Sequence, residues 1–155
     1  MKRIFIIIPQ LTYGSPVKGA VALANFFALK NQVTLIILKS NKNDSKYFLH
    51  RNINLISLAK FSWPKKIYMY GKILMSSIEN ERISLSFCLS ADILNSFCTK
   101  YAKTFSSLRG DLYKNYRDRY GLIGFFIAKL HFIRLKKIKN IISMTEAMQK
   151  QVQVV

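Results

Sequence analysis

The sequence predicts an α/β sandwich built around a parallel sheet. Short runs of β-branched and aromatic residues, the kind that form strands buried on both faces, alternate along the chain with stretches of helical periodicity. The first such stretch, residues 4–38, reads strand, loop, helix, strand, which is a βαβ unit with a right-handed crossover. A length of 155 residues suits one domain, 1–155, and an apolar content of 50% is too high for disorder.

Residues 4–8 (IFIII) form a continuous apolar run and the first strand. Residues 12–19 carry Gly14, Pro16 and Gly19 and read as a loop. From 20 to 29, Ala20, Leu23, Ala24, Phe27 and Ala28 fall on one helical stripe, which Asn31 and Gln32 end. A second buried strand follows at 33–38, then a polar loop at 40–46 and a third, alternating strand at 53–58. Trp63-Pro64 signals a helix start, with the helix over 65–78. Residues 83–88 are a fourth strand, 91–102 a helix and 104–108 a fifth, shorter strand. Helical periodicity then runs over 111–139, as two helices or one broken near Gly121 and Gly124. A sixth strand over 140–144 leads into a helix over 145–152 that Thr145 is placed to cap.

The charge is lopsided: 25 Lys+Arg against 7 Asp+Glu, a formal net charge of +18. It is spread evenly, with 12 basic residues in 1–77 and 13 in 78–155, so no basic arm exists. Nucleic acid, an anionic membrane surface and a phosphate-bearing ligand are the partner classes such a balance favours. AT-rich codon usage is the competing source, since Lys, Ile and Asn are all abundant (18, 19 and 10). A nucleic-acid partner is disfavoured, because neither a concentrated basic patch nor a groove-reading motif is visible. Two cysteines ten positions apart make no disulfide scaffold and no zinc pattern, so a reduced, cytoplasmic setting is expected and no metal site. The apolar run after Met1-Lys2-Arg3 is only five residues before Pro9, too short for a secretory signal, and no run is long enough to span a bilayer.

Ligands of open parallel sheets bind in the loops at the carboxyl ends of strands. After the first strand, Gly14 and Gly19 form neither a dinucleotide fingerprint nor a Walker A loop. What remains is a glycine entering the first helix, whose free N–H groups favour an anion, with Lys18 beside it, or else an ordinary turn and cap. After the fifth strand, the fork of Arg109 suits a phosphate or carboxylate and Gly110 permits a tight turn, or Arg109 pairs locally with Asp111. Ser143 and Glu146 mark the end of the sixth strand and the first turn of the next helix. His50 and His131 have no Cys or carboxylate near them in the chain and read as surface or packing residues. Cys88 and Cys98 read as small core residues. Residues 122–139 combine Phe125, Phe126, Leu130 and Phe132 with Lys129, Arg134, Lys136, Lys137 and Lys139. That composition suits a membrane surface, with one half packed on the sheet and the basic C-terminal half exposed; a solvated charged face is the alternative.

The stretch Lys18-Gly19-Ala20, then Leu23-Ala24-Asn25-Phe26-Phe27-Ala28, then Val33-Thr34-Leu35 resembles the opening of family 4 glycosyltransferases. Residues 104–110 resemble that family's strand ending in His-Gly or Arg-Gly, and 140–149, with Ile142-Ser143 and Glu146-Ala147-Met148, its strand ending before a helix. Lys18 replaces the first glycine of the family's usual pair, Val21 its acidic residue, and Arg109 stands where many members have a histidine. The donor-side Glu-x7-Glu signature is missing: none of Glu79, Glu81 or Glu146 has a glutamate eight positions on.

The resemblance implies a Rossmann-like three-layer sandwich, the N-terminal, acceptor-side half of a GT-B enzyme, with the C-terminal donor-binding domain not in this chain. It implies sugar transfer from a nucleotide-sugar donor, with no other cofactor, to a lipid-linked or polysaccharide acceptor in bacterial cell-surface glycan synthesis. A donor domain or partner subunit would then be required, and the chain alone would be inactive. It would work in the cytoplasm or peripherally on the inner face of the cell membrane. Gly14, Lys18, Gly19, Arg109, Gly110, Ser143 and Glu146 would line the substrate and phosphate cleft, and no residue is assigned as catalytic. A non-catalytic basic module, binding an anionic membrane, a protein or nucleic acid, is the competing class.

Overall fold

The structure, a computed structural model, describes residues 2–12, 14–40, 49–76 and 81–153. In chain order these form β1 (Arg3–Ile8), α1 (Ser15–Ala28), β2 (Gln32–Ile37), β3 (Ile53–Ser57), α2 (Trp63–Met75) and β4 (Arg82–Phe87). There follow α3 (Leu89–Ser96), β5 (Lys103–Leu108), α4 (Leu112–Tyr120), α5 (Ile123–Leu135), β6 (Asn140–Ser143) and α6 (Glu146–Gln153). Most of the polar loop expected at 40–46, the end of the helix expected at 65–78, Tyr13 and Glu79 lie outside the described residues.

The six strands pair in the order β3-β2-β1-β4-β5-β6, all parallel. Chain direction across the sheet reverses between β1 and β4, so the loops leaving these two strands part and open a crevice at the carboxyl edge. The α/β, Rossmann-like fold expected from the sequence is the fold observed.

Side-chain alternation along β1 feeds the two faces of the sheet. Ile4, Ile6 and Ile8 pack with Ala20, Ala24 and Ala28 of α1, whose small side chains let that helix lie close. Phe5 and Ile7 pack on the other face with Tyr70 and Leu74 of α2 and Ala91 and Leu94 of α3. Ile6, Ile7 and Ile8 are fully buried, and each contributes roughly 1.5–3 kcal/mol of hydrophobic stabilisation. A third cluster (Leu108, Leu112, Phe132, Leu135 and Ile138) joins α4 and α5 to the sheet.

Three expectations are corrected. The segment 15–19 is helix rather than loop, because Pro16 sits in the first turn of α1, where its fixed φ suits a helix and its missing N–H costs nothing. Gly14 is the N-cap and Gly19 lies inside α1, its N–H committed to the helix, so Gly19 does not present a free N–H to an anion. The helix expected at 91–102 ends at Ser96, where Cys98 turns into the core and the chain prepares to enter β5. The long helical stretch does break in two: Gly121 takes φ +57° between α4 and α5.

Gly124 lies inside α5 and marks the closest approach of the two helices. A Cβ there would fall on the carbonyl of Tyr116 and within 2.7 Å of the Arg117 nitrogen. The packing face of α5 runs its full length through Gly124, Ala128, His131, Phe132 and Leu135. The most exposed apolar residues lie at its N-terminal end, Leu130 and Ile133 are exposed further along, and the basic C-terminal lysines are exposed as expected. Packed and exposed faces therefore run side by side instead of dividing into a packed half and a basic half. Among the described residues no helix is long and apolar enough to cross a membrane.

Candidate functional site

Strand β4 alternates Ile83, Leu85 and Phe87 with Ser84 and Ser86. Its apolar set packs with the core that includes α1, which turns both serines toward α3. Ser106 of β5 stands beside Ser86 in register, and α3 offers Asp92 and Asn95 to this polar strip. Each group finds a partner. Tyr70 Oη donates to Ser84 Oγ at 2.6 Å, and Ser84 donates to Asn95 Oδ1 at 2.6 Å. Asn95 Nδ2 donates to the Phe105 carbonyl at 2.9 Å.

Asp92 is the centre of this network. It lies in the first turn of α3, where the helix dipole favours negative charge, and is 1% exposed. Its Oδ1 accepts from the hydroxyls of Ser86 and Ser106, both at 2.6 Å, and its Oδ2 is 2.7 Å from Nε2 of His131, itself 2% exposed. His131 Nδ1 is 2.9 Å from the Tyr116 hydroxyl. A carboxylate that accepts the Nε2 proton leaves Nδ1 as a lone-pair acceptor, so the network assigns Tyr116 as the donor to it. Asp92, His131 and Tyr116 thus form one hydrogen-bonded line from α3 through α5 to α4.

That line borders a cavity of about 390 Å³ at the carboxyl ends of β4 and β5. Pro16 of α1, Cys88 after β4, Arg109 after β5, and Tyr116 and Arg119 of α4 complete the wall. Burial, reinforced by the Asp92 charge, pushes the Tyr116 phenol well above its ordinary range, so it stays protonated. Burial and then Asp92 push the Cys88 thiol up to about 11, against the opposing charges of Arg109 and Arg119. Cys88 also takes φ +72°, the only positive φ at a non-glycine residue among those described. Backbone strain of this kind concentrates at functional sites.

Arg109 enters the cavity because its neighbours send it there. Gly110 turns the chain at φ +80°. Asp111 commits its carboxylate to capping α4, accepting from the Lys114 N–H at 3.0 Å, so the local Arg–Asp pair does not form. The guanidinium lies over the Phe87 ring at 5.6 Å and against Gly19, where a Cβ would come within 2.7 Å of Nη1 and 2.8 Å of Cζ. Its Nε is buried with no hydrogen-bond partner among the described residues. Gly19 therefore makes room for an arginine instead of presenting its backbone to a ligand. Gly19→Ala should displace the far end of a flexible side chain and move the guanidinium out of place. The roughly 1 kcal/mol that alanine gains over glycine inside a helix offsets much of the crowding, so stability changes little. Urea melts together with the Arg109 side-chain NMR signal check both halves of this expectation.

Of the residues singled out in the sequence, Arg109 lines the cavity and Gly19 touches Arg109. Gly110 shapes the turn, while Gly14 and Lys18 are exposed at the start of α1. Ser143 ends β6, one strand beyond Leu108 in register, and Glu146 is exposed on α6; neither borders the cavity. Thr145 caps α6 as expected, its Oγ1 accepting from the Met148 N–H at 3.3 Å. Of the basic set on α5 and beyond, Lys129, Lys136, Lys137 and Lys139 are exposed, whereas Arg134 stacks over Phe97 at 4.6 Å.

One residue contradicts its sequence reading: His131 is not a lone packing histidine, because folding brings it to a carboxylate 39 positions away. Cys88 packs against the core as expected, but it is half-buried, takes a positive φ and also forms part of the cavity wall. Nothing in the sequence singled out Asp92 or Tyr116. Among the described residues no cluster of three or more His, Cys, Asp or Glu side chains could hold a metal ion.

The raised thiols carry a pH signature. Burial pushes Cys98 as well as Cys88 from 9.0 up to about 11. Each ionises earlier in the unfolded chain than in the folded one, so its contribution to stability is complete below pH 9 and is lost between 9 and 11. Tyr70 and Tyr116, raised by burial, act in the same direction at higher pH. Urea midpoints should therefore fall between pH 9 and 11, and a flat profile would contradict the assignment. At pH 8 both native thiols should alkylate about a hundredfold more slowly than free cysteine.

No protein-family model and no curated protein sequence matches the chain. Among solved structures it is similar to UGT2 of Phytolacca americana, determined with UDP-2-fluoro-glucose and pterostilbene bound. The TM-score is 0.62 at 11% identity, covering 94% of this chain and 48% of that one, so the chain spans about half the length of the structure it matches. The likeness extends to the glycosyltransferase fold and does not single out family 4. The chain has a Rossmann-like α/β fold similar to that of a GT-B glycosyltransferase.

Proposed function

We propose that this chain is the acceptor-binding half of a glycosyltransferase, working with a donor-binding domain or partner subunit that holds a nucleotide sugar. The acceptor would be a hydroxyl of a glycan or of a lipid-linked intermediate. The observation that carries this reading is the Asp92–His131–Tyr116 line ending at a cavity beside Arg109. In such a transfer the acceptor oxygen forms the new bond to the sugar carbon, its proton must go to a base, and the nucleoside diphosphate leaves with the bonding electrons.

Tyr116 is suited to pass that proton on. It accepts from the acceptor hydroxyl while giving its own proton to His131 Nδ1, and Asp92 stabilises the imidazolium that results. A phenol held protonated by burial ends the step as it began. Arg109, with an unspent Nε, supplies positive charge for an acceptor or donor phosphate.

Tyr116→Phe keeps the ring packing and removes only the hydroxyl. It should lower kcat by about 10²–10⁴-fold in the reconstituted transferase, with KM for donor unchanged. In saturation-transfer NMR on the isolated chain, oligosaccharides and prenyl phosphates should bind at the cavity and lose affinity in Arg109→Ala. Donor binding to this chain as strong as acceptor binding would sink the assignment of halves. Multiple-turnover transfer by the 155-residue chain alone would do the same.

A further inference from the structure

The α4–α5 hairpin ends in an apolar tip that nothing in the described fold covers. Leu122 is 91% exposed, Phe126 71%, Ile123 67% and Phe125 57%. These residues are consecutive or one turn apart at the start of α5, so they form a single patch, whose Leu122 and Phe125 also line a groove with Tyr113, Lys114 and Arg117 of α4. Tyr113 braces the patch from α4, its ring 5.7 Å from that of Phe125. Scattered exposed apolar residues are ordinary, but a contiguous cluster of large ones marks an interaction surface.

The charge around the tip identifies the partner. Between residues 112 and 139 there are eight Lys and Arg against one carboxylate, Asp118, which is itself paired with Arg117 at 3.8 Å. Along α5 and into the turn that follows it, the row Leu122, Phe126, Lys129, Ile133 and Lys136 advances by three or four residues, with Lys137 next to it, so apolar and basic side chains share one outer face. The row is apolar at the tip and basic toward the C-terminal end. A tip that dips into acyl chains while long lysine stems keep their ammonium groups among phosphates has this order. A nucleic-acid backbone would match the lysines but leave Leu122, Ile123 and Phe126 facing phosphate.

We propose that the α4–α5 tip docks this protein on an anionic lipid bilayer, inserting Leu122, Ile123, Phe125 and Phe126, with Lys129, Lys136 and Lys137 at the headgroups. Tyr116 lies on the same hairpin, so docking would bring the cavity to the membrane surface. The docking does not depend on the sugar-transfer reading. Vesicle binding and transfer are measured separately, and either can fail alone.

The test is flotation of the full chain with vesicles of phosphatidylcholine alone and of phosphatidylcholine with phosphatidylglycerol, at low and high salt. Binding should need the anionic lipid and weaken with salt. Phe125→Ser/Phe126→Ser should lower partitioning at least about tenfold. Lys129→Gln/Lys136→Gln/Lys137→Gln should lower it about a hundredfold, at about fivefold for each charge removed.

All five positions are exposed, so unchanged circular dichroism and Tm should certify the folds. In a Trp63→Phe background, Leu122→Trp emission should shift to the blue on anionic vesicles and be quenched by brominated acyl chains. Unchanged partitioning of the Phe125→Ser/Phe126→Ser variant would overturn the proposal. So would a Leu122→Trp signal that stays aqueous. A concentration-dependent dimer abolished by Phe125→Ser/Phe126→Ser, without vesicle binding, would assign the patch to a second copy of the chain instead.

Discussion

Asp92→Ala is expected to lower folding stability by about 3–5 kcal/mol, because three buried donors lose their shared acceptor. The carboxyl group is the shared acceptor for Ser86, Ser106 and His131, all within 2.7 Å and all buried. Truncation leaves three buried donors without their acceptor, and each unsatisfied group costs about 1–3 kcal/mol. The full sum is not reached, since a hydroxyl can rotate: Ser86 Oγ has the Phe105 carbonyl at 3.1 Å as an alternative acceptor.

Asp92→Asn separates charge from geometry. Its oxygen still accepts from both serines, but its amide faces His131 Nε2 and forces the other tautomer, so that Nδ1–H donates to Tyr116. The loss should be smaller than for alanine, while proton transfer from Tyr116 to His131 is blocked. Urea denaturation of the two variants, with ring-nitrogen NMR of His131, distinguishes these outcomes. Wild-type stability in Asp92→Ala would mean that the network is not formed.

Gly124→Ala is the second large expected effect, and two contributions of opposite sign decide it. In an ordinary helix interior, replacing glycine by alanine is favourable by about 1 kcal/mol. Here the new Cβ meets the Tyr116 carbonyl and the Arg117 nitrogen, which are backbone atoms of α4 and cannot rotate aside. The helices must separate, and strain of this kind typically costs about 1–3 kcal/mol, occasionally more. The net result should be a loss of up to about 2 kcal/mol. Separation also draws Tyr116 away from His131, so the variant should lose that hydrogen bond even where it remains folded. Gly121→Ala is the contrast: a Cβ there meets nothing within 4 Å, and its cost comes from φ +57° alone.

The strand and helix pattern was legible because it depends on local chemistry. The run at 4–8, the stripe Ala20, Ala24 and Ala28, the Trp63-Pro64 start and the break at Gly121 each act within a few residues of themselves. Errors fell where a local signal had two meanings. Glycine and proline at 14–19 suggested a loop, yet proline in a first turn starts a helix. The serines of β4, alternating with apolar residues, lie under α3, and what makes them tolerable there is a partner for each hydroxyl.

The site was hardly legible for the same reason. Asp92 and His131 are 39 positions apart, Tyr116 lies 15 from His131, and Arg109 meets Gly19 across the sheet. None of these pairs leaves a spacing in the chain, because which face of α3 meets which face of α5 is set by sheet order and by the closeness Gly124 allows. Sequence by itself determined the alternation of strands and helices, the parallel sheet and the surplus of positive charge. Only tertiary structure decided that a histidine, a carboxylate and a tyrosine meet at a cavity, and that the apolar tip of α5 stays uncovered. The physical reason is range: hydrophobic period and backbone preference act over a few residues, whereas a buried polar network exists only once distant segments exclude water together.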